Sequence, residues 1–340
     1  MTRRDTILAS ALVALGLNSL YLGARADAGL FYFANLGLHV ALGLAAAVAV
    51  GARLRGRWGG LPVLSRSAAV ALGLGALLGV ALLVTGATRS FRPVLHGHLG
   101  FLALGALLAL VAVRRPAGLA MPRARGWVAT VALLFVAAPA VRWVADLAPP
   151  EHRIVNPALP PLDMEGEGQG PQGPFFPSSA ETDVGGTIPS NFFMTAEECG
   201  RCHKDIYDQW RSSAHRFSSF NNQWYRKAVE YMQDTVGTEP SKWCAGCHDH
   251  AMLFNGRFDT PAREQIDTPE AQAGLTCASC HSVVHVKSTM GQGDFTIEYP
   301  PLHDLAVSNQ PVLRAAHDYL LRLDPGPHSR TFLKSFHTEQ

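Results

Sequence analysis

Cys199-Gly-Arg-Cys202-His203, Cys244-Ala-Gly-Cys247-His248 and Cys277-Ala-Ser-Cys280-His281 are three copies of Cys-x-x-Cys-His in one stretch of this chain. Two cysteines one helical turn apart trap the two vinyl groups of a porphyrin as thioethers, and the next residue places an imidazole under the iron. This spacing is the attachment pattern of c-type haem. All six cysteines of the chain lie in these motifs, so none is left for a disulfide. A zinc site built from Cys-x-x-Cys pairs does not need a histidine directly after each pair. A thioredoxin-like dithiol occurs once, inside a βαβ pattern, and no such pattern is visible. The reading is three covalent haems, attached at Cys199, Cys202, Cys244, Cys247, Cys277 and Cys280, with His203, His248 and His281 as proximal ligands.

Outside this stretch the 340 residues divide by charge. Residues 1–148 carry 14 Arg and 3 acidic residues, whereas residues 149–340 carry 15 basic and 24 acidic ones. Haem propionates would make the second half more acidic still. That balance argues against nucleic acid and points to redox partner proteins that present a basic docking face.

The basic half contains five apolar segments, at about 6–24, 30–51, 67–87, 93–113 and 127–147. Each approaches the roughly 20 residues a helix needs to cross a bilayer. Arg3 and Arg4 precede the first segment, Arg53, Arg55, Arg57 and Arg66 follow the second, and Arg114, Arg115, Arg123 and Arg125 follow the fourth. The other two loops hold only Arg25, Arg89 and Arg92. Cytoplasmic loops carry the excess of arginine, so the N-terminus is expected in the cytoplasm and residue 148 on the opposite side after five crossings. Haem is joined to such motifs outside the cytoplasmic membrane, which agrees. The expected location is the inner (cytoplasmic) membrane, multi-pass, with the haem domain in the periplasm. Trp127 and Trp143 bracket the last span as interfacial anchors, and Arg142 and Asp146 are spaced to pair on one helix face. The first span is read as a retained helix; the alternative is a signal peptide cleaved near Ala24-Arg25-Ala26.

Two spans share a short repeat. Leu38-His39-x-x-Leu42-Gly43 matches Leu95-His96-x-x-Leu99-Gly100. Both histidines enter from the outer side, and an ionisable side chain at that depth is a functional candidate. The glycine four residues after each leaves room for a flat ring. The pair resembles membrane b-type cytochromes, in which two bundle helices each give a histidine to one haem. That resemblance implies one haem b on His39 and His96, with His98 competing for the second place. A quinol site without haem, or histidines that only link helices, are the alternatives.

Residues 149–190 are rich in proline, glycine and acids, as in Glu165-Gly-Glu-Gly-Gln-Gly170. Such a stretch reads as an extended tether, with Phe175-Phe176 drawn onto the domain surface. Residues 191–340 then allow about fifty residues per haem, so the porphyrins are expected to supply much of the core. The fold class is all-α: a five-helix transmembrane bundle (1–148), the linker (149–190), and a loop-rich domain of short helices (191–340). Thr195-Ala-Glu-Glu198 is spaced as a capping box ahead of the first motif. The helix it starts is expected to run on to His215.

His203-x-x-x-Tyr207-x-x-Trp210-x-x-Ser213-x-His215 resembles the multihaem cytochromes of the cytochrome c554 and hydroxylamine-oxidoreductase group. There, a first haem motif runs into Tyr and Trp and then a Ser-x-His whose histidine binds a neighbouring haem. The resemblance covers the second half only and implies a distal-ligand role for His215. Along one helix, twelve residues span about 18 Å, so His203 and His215 cannot grip the same iron. His281 and His285, four apart, would leave one helix face together, so His285 also serves a different haem. His250 is too close to His248 to cap its iron. His303, His317, His328 and His337 remain, and the third distal ligand is expected at His328 or His337. The chain stops at Phe336-His337-Thr-Glu-Gln340 without a domain-ending signal, and related multihaem proteins continue into further motifs. A longer protein or a partner fits that end.

Two axial histidines on every iron leave no open position. The function expected is then electron transfer between the membrane, through the quinol pool or a membrane partner, and periplasmic or extracellular acceptors. The alternative is an enzyme, a multihaem reductase with one open-coordination haem acting on a small nitrogen or sulfur oxyanion. Tyr207, Arg211 and Tyr225 would be its proton donors and cations.

Overall fold

The structure, a computed structural model, describes residues 3–25, 29–114, 122–146, 154–290 and 292–333. It comprises two compact units. The first takes residues 1–149 together with 316–328; the second takes 150–315 and 329–340.

The first unit is built on α1 (Arg3–Ala24), α2 (Leu30–Arg55), α3 (Val63–Thr85), α4 (Arg92–Arg114) and α5 (Pro122–Asp146). Small residues set how closely these helices approach. A Cβ on Gly75 would lie 2.8 Å from the side chain of Leu102, and one on Gly105 would lie 2.7 Å from that of Leu72. These two glycines therefore let α3 and α4 pack tightly along their length. Gly16 does the same for α1 against Leu134 of α5. The α1–α2 contact includes a polar pair: Asn18 Nδ2 donates to Asn35 Oδ1 at 3.0 Å.

Among the described residues four helices, α1 to α4, are long and apolar enough to cross a membrane. Five were expected, and the fifth segment, α5, does not meet that measure among the described residues. In α5 the apolar helical stretch among the described side chains is Gly126–Ala138. The Arg142–Asp146 pair lies outside the described side chains.

Residues 316–328 were not expected in this unit. They come from α13 (Pro311–Leu323) and the start of α14 (Gly326–Phe332). Tyr32 Oη donates to Asp324 Oδ2 at 2.5 Å, Tyr319 Oη to the Leu83 carbonyl at 3.0 Å, and the Ala87 N–H to the Arg322 carbonyl at 3.1 Å. Gly86, at φ +71°, ends α3 where any Cβ would overlap the Arg322 carbonyl.

The second unit holds β1 (Glu181–Thr182), α6 (Ala196–Gly200), α7 (Lys204–Trp210), α8 (Gln223–Val236), α9 (Lys242–His248), α10 (His250–Leu253), α11 (Cys277–His281), β2 (Val283–Val286), β3 (Phe295–Ile297) and α12 (His303–Ala306). The strands form a small sheet in the order β1-β3-β2, with β1 parallel and β2 antiparallel to β3. An all-α reading did not include it.

The stretch 154–190 is part of this unit's fabric and not a free tether. Phe175, Ala180 and Ile188 are buried with Phe192, Phe193, Phe220, Phe254, Phe258 and Ile297 in one apolar core. Backbone bonds fix the stretch between those anchors: Ser179 N–H to Gln292 O at 2.8 Å, Asp183 N–H to Ile297 O at 2.9 Å and Ile188 N–H to Phe254 O at 2.8 Å. Glycines at positive φ, Gly168 and Gly170, make the tight turns. The core is thus a conventional one of side chains, because the segment read as a linker contributes to it.

Candidate haem-binding site

Each Cys-x-x-Cys-His motif is carried on a short helix, which places its two cysteines about a turn apart. α9 and α11 contain the whole second and third motifs, while α6 ends at Gly200 and Cys202 and His203 follow it. In all three motifs the first cysteine is half-buried and the second is exposed.

The proximal histidines show what a haem ligand needs. His248 Nδ1 faces the Ser218 carbonyl at 3.0 Å, and His281 Nδ1 faces the Phe332 carbonyl at 2.8 Å. A carbonyl on Nδ1 orients the ring, as it does in histidines that bind a metal through Nε2. Tyr225 stacks on His248, with ring centroids 4.4 Å apart and planes at 16°. His203 is exposed at the start of α7. These groups fit covalently held haem.

The first and third motifs meet. Cys199 on α6 and Cys277 on α11 share a thiol hydrogen bond, which raises the Cys199 thiol far above the ordinary range and draws Cys277 down to about 7. Two porphyrin attachment points are therefore adjacent. The second motif has its own support: Gln292 Nε2 donates to Cys247 Sγ at 2.8 Å. Beside it, Asp249 is buried and accepts from Ser219 Oγ, and burial pushes its carboxyl up to about 7. Tyr225, next to that carboxylate, has its phenol pushed well up, chiefly by burial.

The helix expected to reach His215 ends at Trp210. Ser212 and Ser213 turn their hydroxyls back onto the Gln209 and Trp210 carbonyls, at 3.2 and 2.8 Å, which competes with helix continuation. His215 then sits exposed on a separate turn whose backbone joins two motifs. Its carbonyl accepts the Leu275 N–H at 2.8 Å, two residues before Cys277, and Ser218 in the same turn supports His248. Thr195 precedes α6 without a side-chain cap, since its hydroxyl donates to the Phe192 carbonyl at 2.8 Å.

His285 is not on a helix. α11 stops at His281, and the β-branched run Val283-Val284-His285-Val286 forms β2 with His285 opposite Thr296. His250 is a core histidine: burial pushes it down to about 4, and its Nε2 bonds the Gly246 carbonyl at 2.9 Å. His303 is buried against Phe192 and Tyr299. His317 pairs with Asp318 at 3.1 Å. His328 lies half-buried on α14, and His337 lies outside the described residues.

In the bundle, the ring opposite His39 belongs to His98 and not to His96. His98, Leu102 and Gly105 form one face of α4, the face packed on α3. His96, two residues away, falls on another side and is exposed. That phase was legible from the spacing of His98, Leu102 and Gly105. The carbonyls behind His248 and His281 had no signal in the sequence.

Residues 198–282 match the family described as cytochrome c554 and c-prime. Comparison with curated proteins and with solved structures gave no match. The matched segment spans all three motifs, and the likeness supports a c-type cytochrome domain with covalently bound haem.

Proposed function

We propose that this chain is a membrane-anchored triheme cytochrome that moves electrons between the membrane and acceptors outside the cytoplasm. The observation that carries the reading is the adjacency of Cys199 and Cys277, which sets two of the three attachment points side by side. Each covalently held haem supplies a one-electron ferric/ferrous couple whose potential is set by its axial ligands and surroundings. His248 and His281 are aimed by backbone carbonyls, and His203 completes the proximal set. His215, on the turn joined to the second and third motifs, is the first distal ligand, with His285 and one of His328 or His337 completing the set.

Electrons enter from the quinol pool or a membrane partner and leave to a soluble protein with a basic docking face, matched to the acidic second half of the chain. Haem attachment outside the cytoplasmic membrane requires an odd number of crossings after a cytoplasmic N-terminus. α5, at 25 residues, is about 37 Å long and can be the fifth despite its short apolar stretch.

The test uses membranes holding the full chain. Three covalent haems per chain are expected by pyridine haemochrome, and replacing both cysteines of any one motif by alanine removes one third of them. A reduced quinol analogue should then reduce the covalent haems, and a basic soluble cytochrome should reoxidise them. Fewer than three haems, or haems that stay oxidised with the quinol, would sink the proposal.

A further inference from the structure

His39 and His98 face each other inside the bundle in a way that neither helix packing nor a simple hydrogen bond explains. Their ring centroids are 6.4 Å apart and their planes stand at 81°. His39 Nδ1 faces Ser19 Oγ at 3.3 Å, and His98 Nδ1 faces the Gly75 carbonyl at 2.8 Å. Neither Nε2 has a partner among the described residues. Both rings are therefore held at the same nitrogen and leave the same nitrogen open, the arrangement in which imidazole binds a metal.

The distance selects the ligand. With metal–nitrogen bonds of about 2 Å and roughly another ångström from nitrogen to ring centre, two imidazoles on opposite sides of one metal have centroids about 6 Å apart. A direct imidazole–imidazole hydrogen bond would use one of the open nitrogens, and none is made. Two imidazoles alone do not hold a bare divalent ion, which takes four or more ligands, and no cluster of three or more metal-binding side chains occurs among the described residues. A metal that brings its own equatorial ligands, the iron of a porphyrin, needs only these two.

The helices are shaped for it. The ring of His98 lies where a Cβ on Gly79 would be, 2.8 Å from His98 Cε1, so α3 cradles that imidazole. α2 packs mainly on α1, while α4 packs mainly on α3 and α5, so the two histidines meet between helices that make little direct contact. A Cβ on Gly43, one turn beyond His39, would meet nothing within 4 Å. Ser19 itself donates to the Leu15 carbonyl at 2.8 Å, which leaves its oxygen to accept from His39 Nδ1.

We infer that His39 and His98 are the axial ligands of one b-type haem held non-covalently in the bundle, which would make it a redox element as well as an anchor. The inference rests on the electron-transfer reading above, and the two are separable because covalent and extractable haem are counted apart.

The experiment is acid–acetone extraction and pyridine haemochrome on the full chain purified in detergent. One extractable haem b per chain is expected, beside the covalent haems. His39→Ala and His98→Ala should each lower extractable haem at least tenfold with covalent haem unchanged, whereas His96→Ala should keep it. His98→Gly should regain the b-type absorbance when imidazole is added, which a merely structural histidine would not. Absence of extractable haem from the wild type overturns the inference. So does retention in both His39→Ala and His98→Ala, or a loss in His98→Gly that imidazole does not restore. Loss of covalent haem with extractable haem intact would instead count against the electron-transfer reading alone.

Discussion

Glu230 is a buried carboxylate on α8, gripped by Arg226 Nε at 2.8 Å and by the Lys227 ammonium. Those hydrogen bonds hold its carboxyl below the ordinary glutamate range. A carboxyl whose folded pKa is depressed adds stability that is present above the unfolded value and lost as pH falls through the folded one. Glu230→Gln is therefore expected to cost on the order of 1 kcal/mol at pH 7 and progressively less toward pH 3. Urea unfolding of the wild type and the variant at both pH values checks it; an equal cost at both would show that packing, not charge, is what Glu230 supplies. The haem motifs are legible at this scale because their chemistry is local: two thiols and an imidazole within five residues. The groups that aim the imidazoles are the Ser218 and Phe332 carbonyls, which any residue would carry, so only the folded chain reveals them.

At the scale of elements, the apolar runs that became α1 to α4 were plain in the sequence, since length and composition alone define a membrane-capable helix. Short elements were not. α7 ends at Trp210 because two serines back-bond to it, and β2 begins where β-branched residues follow α11. The stretch 154–190 looked like a tether because its apolar residues are sparse; Phe175 and Ile188 are enough to bind it to the core. Residues 316–328 were equally hidden, since their partners lie more than two hundred positions earlier. Tyr32 is 1% exposed and its hydroxyl meets a carboxylate, so Tyr32→Phe should cost about 1.5–3 kcal/mol. Gly86→Ala should add a penalty of about 1–2 kcal/mol for a side chain at positive φ, beyond the overlap with Arg322. Thermal unfolding in detergent, with limited proteolysis after Arg314 and Arg322, reads both. Unchanged midpoints and unchanged cleavage would mean that residues 316–328 do not need the bundle.

For the whole molecule, the question left by α5 is one of parity. In the proposed topology the arginines put the N-terminus, the α2–α3 loop and the α4–α5 loop on one side of the membrane. Four crossings would leave the cytochrome domain on that same side, where haem is not attached to its cysteines. Five crossings put it on the other side at the cost of burying the ends of α5, where Arg123, Arg125, Arg142 and Asp146 lie. That cost is modest. Charges near helix ends reach the headgroups, and a helix of about 37 Å leaves several residues beyond a hydrocarbon core of about 30 Å. Arg123 and Arg125 also fall at the end of α5 that the parity argument assigns to the cytoplasm, and Arg142 and Asp146 at the other. Fusions of a reporter enzyme that is active only outside the cytoplasm should therefore be silent after residues 60 and 117 and active after residues 87 and 160. Activity after 87 but silence after 160 would mean that α5 lies along or within one face of the membrane. The cytochrome domain would then be on the wrong side for its own haem chemistry, and the proposed route from membrane to outer acceptor would fail with it.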